Sequence, residues 1–499
     1  VQTVALRLLV DKEKERNKFI KNTFYTIEAD LKEKNHDATF KAKLVSYDNQ
    51  TIAKSDDFGK FDSGLKNDKL LLIDAVKAKE IKGESENSNW EISKIESKPT
   101  SSSAAPPFTT STLQQDASRR FGYSPKRTMV VAQKLYEQGF ITYMRTDSTN
   151  LSKEAIAASK KFILDKFGED FLPENSNFYK SKVANAQEAH EAVRPAGTTF
   201  KEPAHVLKSL GKDEAKLYEL ILNRTLASQM KPAQYIRTNI EIINGKSIYR
   251  ASGNITTFKG YTAAYEQALS RTQKSVIAAL PPIQKDSKII HNNIDALERN
   301  TTPPRRFSEA MLVKEMEARG IGRPSTYSSI LDKLVKKEYV IKKSKTLIPT
   351  FVGIAVTQLL ENHYLALFNE KFTAGMEQQL DAISRSESTY VDVLEEFYNG
   401  GKNYAGVAKL LEEEIDIAKA CSVPVSEKTS IRIGKFGPYV EKDGGNITIP
   451  QDLFLGDLNQ EEIDKLSTMQ KEDNIIGTFN GGENILLKVG RYGPYVELQ

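Results

Sequence analysis

Two irregular segments divide this chain of 499 residues into parts of different character. Residues 99–112 read PTSSSAAPPFTTST, and residues 300–306 read NTTPPRR. Runs of proline, serine and threonine without a helical or strand period are typical of turns and linkers. We therefore expect several domains and not one continuous fold, which agrees with the roughly three domains that a chain of this length usually forms.

The segments between these breaks differ in periodicity. Residues 37–92 alternate apolar and polar side chains and predict strands, whereas residues 113–230 carry helical patterns such as MVVAQKLYEQG and KEAIAASKKFILDKFG. Residues 308–339 predict helix, turn and helix, with Ser308 as the first N-cap, and VIKKSKTLIPTF after them predicts a hairpin. This order is that of a winged helix, which binds DNA grooves, but it is equally common where helices simply pack.

A repeat lies near the C-terminal end. The sequence IRIGKFGPYVE at 431–441 recurs as LKVGRYGPYVE at 487–497, and its glycines and proline predict a tight turn between two strands. Each copy carries one basic and two aromatic side chains that could bind a phosphate and stack on bases, or could form the core of a small β-module. These side chains are Lys435, Phe436, Tyr439, Arg491, Tyr492 and Tyr495.

Charge is informative only where it is concentrated. The 71 lysines and arginines and 66 acidic residues leave a net charge of +5, which establishes no partner. However, residues 119–145 contain six basic residues and one acid, and residues 305–345 contain eleven basic residues and five acids. Two basic segments on a balanced chain suggest an anionic polymer as partner, although solvated helix faces would give the same counts.

Composition excludes several classes of protein. The apolar fraction of 39% is typical of a soluble globular protein, and no apolar run reaches the roughly 18 residues that a membrane helix needs. The single cysteine, Cys421, excludes an internal disulfide framework and a four-cysteine zinc site, and the five histidines are scattered.

The stretch GFITYMRTDSTNLS at 139–152 carries the most suggestive chemistry. If it is extended, Ile141, Tyr143 and Arg145 share one face, because strands have a period of two. A tyrosine can act as a covalent nucleophile, and a guanidinium beside it would favour the phenolate and stabilise charge on a phosphate under attack. Most of the 20 tyrosines in a chain like this are structural, so the chemistry alone does not assign the role.

Five blocks of the chain, in order, resemble the type IA DNA topoisomerases. Residues 139–152 resemble the family's active-site signature. The other blocks are VQTVALRLLVDKE (1–13), PPFTTSTLQQDAS (106–118), NAQEAHEAVRP (185–195) and RFSEAMLVKEMEARGIGRPSTYSSI (306–330). The resemblance implies an α+β multidomain fold, in which discontinuous helical and β domains form a gate or arch beside a winged-helix-like DNA-binding lobe. The repeats resemble those that follow the core in many bacterial members.

The same resemblance predicts how the chain is divided. The expected bodies are a DNA-binding lobe (1–38 and 300–420), a β-rich arch domain (39–98 and 231–299), a helical domain with Tyr143 (99–230) and β-rich repeats (424–499). We interpret the breaks at 99–112 and 300–306 as hinges of an opening gate, although the second could be an ordinary loop.

Carried over residue by residue, the resemblance implies roles within the site. Tyr143 would attack a backbone phosphate and hold the 5′ end of the cut strand as a phosphotyrosine, Arg145 would bind the scissile phosphate, and His190 would lie near Tyr143. The implied DNA-binding residues are Gln2, Thr3, Val4, Ala5, Leu6, Arg7, Asp11, Arg194, Arg323, Ser325 and Thr326. The last three lie in a turn before a predicted helix, where amides and hydroxyls can cradle a phosphate.

The implied activity is ATP-independent cleavage, strand passage and religation that relaxes negatively supercoiled DNA. The implied partner is single-stranded and negatively supercoiled DNA, and we expect a monomer in the bacterial cytoplasm, associated with the nucleoid and not with a membrane.

The resemblance also predicts what the chain lacks. The family places a Mg²⁺-binding Toprim domain with a D-x-D cluster ahead of the first block, and these 499 residues contain no D-x-D. We therefore expect Mg²⁺ to bind in a Toprim domain that is missing here, and we expect no zinc. The alternative is a non-catalytic fragment that binds single-stranded DNA. A winged-helix repressor that uses residues 305–351 ranks below both.

Overall fold

The computed structural model describes residues 1–34, 37–179, 190–265, 279–401, 404–412, 414–426, 429–434, 437–442, 445–471, 474–479, 482–490 and 493–498. Within these ranges the chain forms a seven-stranded sheet, four smaller sheets and three hydrophobic cores. The predicted α+β multidomain fold class is therefore confirmed. No helix in these ranges is long and apolar enough to cross a bilayer.

Helices and strands are numbered here along the chain. The helices are α1 (Gln2–Asn17), α2 (Ala75–Asn87), α3 (Thr110–Phe121), α4 (Pro125–Glu137), α5 (Lys153–Phe167), α6 (Pro203–Ser209), α7 (Lys212–Ser228), α8 (Glu309–Ala318), α9 (Tyr327–Lys336), α10 (Phe351–His363), α11 (Glu370–Ser384), α12 (Tyr390–Asn399), α13 (Val407–Leu410), α14 (Ile417–Ala420) and α15 (Gln460–Lys471). The strands are β1 (Thr23–Glu33), β2 (Thr39–Tyr47), β3 (Gln50–Thr51), β4 (Trp90–Ser102), β5 (Ala233–Asn244), β6 (Ser247–Phe258), β7 (Ile289–Asn300), β8 (Val340–Lys343), β9 (Thr346–Pro349), β10 (Gly400–Gly401), β11 (Tyr404–Ala405), β12 (Ser422–Ser426), β13 (Thr429–Gly434), β14 (Gly437–Lys442), β15 (Gly445–Thr448), β16 (Asn474–Phe479), β17 (Glu483–Gly490) and β18 (Gly493–Leu498).

The seven-stranded sheet is the strand-rich body. Its strand order is β1-β7-β4-β5-β6-β2-β3, and β1 also pairs with β2, so the two ends of the order meet in a barrel-like ring. Alternate side chains of these strands fill one core together with α2, as the period-two pattern predicted. Trp90 and Tyr249 are in contact in that core, with ring centroids 4.8 Å apart.

The first boundary of this body lies earlier than expected. Residues 1–38 do not all belong to the DNA-binding lobe, because β1 pairs with β7 along its whole length. The physical reason is its alternating pattern, which buries Ile27, Ala29 and Leu31 in the core of the sheet. The chain therefore leaves the lobe after α1 ends at Asn17.

The first break also begins later than residue 99. Strand β4 continues to Ser102, and Pro99 pairs with Ile236 of β5. Proline has no amide hydrogen and is tolerated in a strand where no second partner needs one. Among the described pairings, β4 meets β7 only at Trp90 and Ile289, so the flank of β4 near Pro99 is a sheet edge.

Helices α3–α7 form the second body and confirm the helical patterns predicted between 113 and 230. Gly139 has φ 69 just beyond the end of α4, and the Ser152 side chain caps α5 by accepting a hydrogen bond from the amide of Ala155. The 3₁₀ turn Gly260–Tyr265, inside the range assigned to the β-rich domain, packs instead against this helical core, because its aromatic residues are apolar partners for α7.

The winged-helix prediction is confirmed by α8, α9 and the hairpin of β8 with β9. The Ser308 hydroxyl accepts a hydrogen bond from the amide of Met311, which is the predicted cap of α8. Residues 301–308 contain no helix or strand, in agreement with the second predicted break. Helix α1 packs into the core of this lobe beside α8 and α9.

The first repeat is part of the same lobe. Ile431 and Val440 are fully buried in the core that contains α1. In each copy two strands pair up to the flanking glycines, Gly434 with Gly437 and Gly490 with Gly493, as the predicted tight turns require. Lys435, Phe436, Arg491 and Tyr492 lie outside the described residues. The Tyr439 ring lies close to Gly434, which favours a packing role for that tyrosine, whereas Tyr495 is exposed.

Candidate active site

The segment that carries Tyr143 is not a strand, and it bends at Thr142 and at Met144. Ile141 makes one isolated bridge with Pro195, and no ladder follows it. Tyr143 is 46% exposed and Arg145 is exposed, so these two side chains share a face. The expectation that Ile141 lies on that face is wrong, because without a ladder the alternation is not imposed and the apolar side chain is buried in the helical core.

Hydrogen bonds hold this segment against residues 192–195. The Thr142 hydroxyl donates to the carbonyl of Ala192 at 2.7 Å, and the Thr142 amide donates to the carbonyl of Arg194 at 2.9 Å. The amide of Arg194 donates back to the Thr142 hydroxyl at 3.0 Å. The two blocks that the resemblance joined by function are therefore adjacent in space. Residues 185–189 of the second block lie outside the described residues.

One cavity of about 270 Å³ lies between the helical body and the lobe. The helical body contributes the three residues predicted to be catalytic, and the lobe contributes the turn before α9. The lining residues are Tyr143, Arg145, Thr146, Asp147, His190, Arg323, Pro324, Ser325 and Asp381. The cavity thus brings together five predicted site residues that come from three separate parts of the sequence.

Carboxylates engage the cation on the lobe side of the cavity. Arg323 pairs with Asp381 at 2.6 Å and with Glu377 at 3.9 Å. Burial is the largest single influence and lowers the pKa of Arg323, but the hydrogen bond that its guanidinium donates to Asp381 and the charges of Asp381 and Glu377 together raise that pKa above its ordinary value. The amide of Arg323 donates to the Thr326 hydroxyl at 2.9 Å, which fixes the turn. A phosphate that entered here would compete with Asp381 for a permanently charged partner.

A second cavity, of about 430 Å³, continues along the lobe. Its walls are the start of α1 and the exposed face of α9. The lining residues are Val1, Gln2, Thr3, Thr326, Ser329, Ile330 and Lys333. Thr326 follows Ser325 of the first cavity in the chain, so the two cavities are lined by consecutive residues of the turn before α9.

Four residues predicted to bind DNA are placed elsewhere. Val4, Ala5 and Leu6 are at most 1% exposed, because they form the inner face of α1, so their side chains do not contact a strand. Arg194 is also buried, and its guanidinium bonds Glu191 at 2.6 Å and the carbonyl of Pro195 at 2.8 Å. These bonds hold the Arg194 side chain against the 191–195 segment, and a resemblance at the level of sequence does not distinguish such internal contacts from a role in binding.

Arg7 and Asp11 lie on α1 but line neither cavity. Arg7 pairs with Glu361 at 3.1 Å and donates to the carbonyl of Phe368 at 2.8 Å, and it approaches Asp11 at 3.8 Å. Burial is the main cause that raises the pKa of Asp11. These contacts join α1 to the segment around α10, so both side chains are already engaged within the lobe.

Sequence reasoning missed three polar residues near the cavity. Asp147 lies inside the quoted signature but received no role, and Asp381 lies in a stretch that carries no recognisable pattern. Glu317 of α8 interacts with Ser111 of α3, across the boundary between the two bodies. Burial raises the pKa of Glu317, and the charge of Asp147 raises it further.

A pH dependence follows from Glu317. Because its pKa is raised in the folded state, its contribution to stability is complete below about pH 4.5 and is lost as the pH rises through the raised value. Glu317→Gln keeps the size of the side chain but carries no charge. We expect this variant to melt at a higher temperature than the parent at pH 7 and at the same temperature at pH 4. Glu315→Gln, which removes an exposed pair with Arg319, should give no such gain; an equal gain would contradict the argument.

Among the described residues, no group of three or more histidine, cysteine, aspartate or glutamate side chains is arranged to hold a metal ion. Two carboxylates, Asp381 and Glu377, instead pair with the guanidinium of Arg323. The described residues therefore do not fit a Mg²⁺ site.

Comparisons with known proteins agree on one family. A family profile described as DNA topoisomerase matches residues 1–395. The chain is 37% identical to DNA topoisomerase 1 of Synechocystis, over 100% of this chain and 56% of the relative, and 38% identical to DNA topoisomerase 1 of Synechococcus elongatus, over 100% and 57%. The solved structure of full-length topoisomerase I from Thermotoga maritima matches with a TM-score of 0.67 and 29% identity, over 91% of this chain and 70% of that chain. The chain thus spans a little over half the length of these curated relatives.

Proposed function

The chain belongs to the DNA topoisomerase family, in its bacterial type IA branch, and on this premise we propose that the cavity at Tyr143 cuts and rejoins one strand of DNA. The observation that carries the proposal is the composition of that cavity. A partly exposed tyrosine, two arginines and a histidine from two bodies converge on one space. That set supplies a nucleophile and cations for a phosphodiester.

The proposed reaction is a transesterification. The Oη atom of Tyr143 loses its proton and forms a bond to phosphorus, while the bond from phosphorus to the 3′-oxygen of deoxyribose breaks and that oxygen takes up a proton. Arg145 and Arg323 would stabilise the negative charge that grows on the phosphate oxygens. His190 would hold the strand near the nucleophile. Because one phosphodiester replaces another, the bond energy is conserved, so no ATP is needed and rejoining is the same reaction reversed.

The proposed track for the strand runs from the first cavity into the second. Ser325 and the amides of the turn before α9 would bind one phosphate, and Lys333 the next beyond it. Gln2 and Thr3 supply polar contacts on the facing wall. A single strand fits this proposal because one of its backbone phosphates would reach Tyr143 along this track.

Strand passage would require the two walls of the cavity to separate. The walls meet through α3 against α8 and α4 against α9, and Lys126 pairs with Asp332 at 3.1 Å across the second contact. These contacts are polar at their edges, which favours reversible separation. We therefore place the gate at this boundary, with the irregular segments around 103–107 and 301–308 as hinges, and negatively supercoiled DNA as the substrate.

The remaining assignments follow from the family and not from the cavity. Mg²⁺ supplies charge stabilisation at the phosphate in such enzymes, and we propose that a Toprim region outside these 499 residues binds it. The protein would act as a monomer on chromosomal DNA in the bacterial cytoplasm, at the nucleoid.

Adduct trapping tests the proposal. The 499-residue chain, alone and fused to the Toprim region of the Synechocystis relative, is incubated with a single-stranded oligonucleotide and MgCl₂ and then denatured. For the fusion we expect a covalent product that keeps a label from the 3′ end of the oligonucleotide but not from the 5′ end, located in a peptide that contains Tyr143. The fusion should also relax a negatively supercoiled plasmid without ATP.

Three outcomes would contradict the proposal. Transfer of the 5′-end label would reverse the polarity of the linkage, and an adduct in another peptide would exclude Tyr143. Tight binding of the oligonucleotide by the fusion without any adduct would favour the alternative, a protein that binds single-stranded DNA without turnover.

A further inference from the structure

We infer that Thr110 is a positioning residue for Tyr143 and Arg145, an inference that rests on the proposed function of the cavity. Thr110 is the first residue of α3 and is fully buried. It lines neither cavity described above and has no charge. Its importance comes from what its hydroxyl and amide bind.

Thr110 makes a compact set of hydrogen bonds to the segment that carries the site. Its hydroxyl donates to the carbonyl of Met144 at 2.7 Å and lies 3.1 Å from the carbonyl of Thr146. The same hydroxyl accepts a hydrogen bond from the amide of Thr146 at 2.9 Å, and the Thr110 amide donates to the Thr146 carbonyl at 2.9 Å. One side chain thus pairs backbone groups on both sides of Arg145, beginning directly after Tyr143.

The segment depends on these bonds because it belongs to no sheet. On the side before Tyr143 it is held by Thr142, which bonds Ala192 and Arg194. On the side after Tyr143, Thr110 pairs both the Met144 carbonyl and the Thr146 amide. Without the Thr110 hydroxyl those two buried groups would lose their described partner, which is costly inside a protein, and the segment would shift to seek others.

The position of Thr110 on α3 has a consequence for the gate. The next residue, Ser111, interacts with Glu317 of the lobe, so adjacent residues of one helical turn contact the nucleophile segment and the opposite wall. If the walls separate, the contact between Ser111 and Glu317 is lost while the bonds of Thr110 remain within one body. The segment with Tyr143, and a strand end attached to it, would then move together with α3.

Two substitutions separate positioning from packing. Thr110→Val keeps the shape and removes the hydroxyl, whereas Thr110→Ser keeps the hydroxyl and removes a methyl group. In the Toprim fusion we expect Thr110→Val to slow adduct formation by about a hundredfold, with oligonucleotide affinity changed less than about threefold, because misplacing a reacting group by about 1 Å has an effect of that size. Thr110→Ser should restore the rate to within about fivefold of the parent.

Thr225→Val is the matched control. It removes a buried hydroxyl that donates to the Ile221 carbonyl in the same core, away from the cavity, and should leave the rate of adduct formation unchanged. A parental rate for Thr110→Val would overturn the inference. So would a rate for Thr110→Ser as low as that of Thr110→Val, because the methyl group would then be what matters.

A second measurement needs no cleavage. 3-Fluorotyrosine incorporated at position 143 of the 499-residue chain should give one sharp ¹⁹F resonance in the parent and in Thr110→Ser, and a shifted or divided resonance in Thr110→Val. If the fusion forms no adduct but this difference appears, the proposed function fails and the positioning role stands. An unchanged resonance in Thr110→Val refutes the positioning role whether or not the fusion cleaves DNA.

Discussion

Replacement of Tyr143 by phenylalanine is expected to abolish the covalent adduct of the Toprim fusion, a loss on the order of a thousandfold or more. The substitution removes the one atom that forms the bond to phosphorus. The ring should keep its place, because it packs edge-on against Tyr136 with centroids 5.2 Å apart, and phenylalanine preserves that contact. Adduct trapping and plasmid relaxation measure the loss, while the melting temperature should remain that of the parent.

Tyr136→Phe is the control for this result. Tyr136 lies on the last turn of α4 and is 40% exposed, close to the 46% of Tyr143, so the two variants remove equivalent hydroxyls from neighbouring rings. We expect Tyr136→Phe to form adducts at close to the parental rate. If Tyr143→Phe still formed adducts and Tyr136→Phe did not, the nucleophile would be the neighbouring ring and the assignment from the signature would be wrong.

The signature predicted the cavity better than it predicted the contacts around it. Tyr143, Arg145 and His190 were identified because the quoted blocks are long and specific, and the structure places them in one cavity with Arg323 and Ser325. The same blocks also included Arg194, which is buried against Glu191. A block of sequence does not reveal whether an arginine binds a ligand or the protein, because both roles need the same side chain and differ only in its neighbours.

Prediction of the fold was limited in the same way, because local sequence does not show which distant segments are in contact. The capping residue Ser308 could be identified locally, because the cap bonds a group three residues away. The position of β1 in the sheet could not be identified in this way, because its partner strand β7 lies more than 250 residues later. The proline, serine and threonine around Pro99 predict a linker, and only the pairing of β4 shows that Pro99 lies at a sheet edge.

Glu13→Ala is expected to destabilise the DNA-binding lobe by about 3–5 kcal/mol, because it removes one partner of a buried ion pair and leaves the other charged. Glu13 of α1 is 1% exposed and accepts two hydrogen bonds from Arg306, each 2.8 Å long. Arg306 also pairs with Asp457 at 2.8 Å. Without Glu13, the guanidinium of Arg306 would remain buried with Asp457 as its remaining acidic partner. Calorimetry should show the transition of the lobe at a lower temperature.

A matched control and an internal reference make this measurement specific. Glu15→Ala, on the same helix, removes a partner of Lys12 that is 42% exposed, and should cost at most about 1 kcal/mol. Trp90, the single tryptophan, lies in the core of the seven-stranded sheet, so its fluorescence should report an unchanged transition in both variants. Equal shifts for Glu13→Ala and Glu15→Ala would show that the buried pair contributes no more than an exposed one.

The effect of Glu13→Ala should extend to the part of the tail that follows the first repeat. The Glu13 carboxylate also accepts a hydrogen bond from the amide of Gly456 at 3.1 Å, where a Cβ atom would lie only 2.3 Å from its Oε2 atom. The carboxylate therefore joins α1, the segment that leaves β7 and the turn Leu455–Asp457 of the tail. Because one group holds all three, we expect amide hydrogen exchange to rise in both 301–308 and 453–461. A rise confined to α1 would mean that this part of the tail is held to the lobe by its apolar contacts alone.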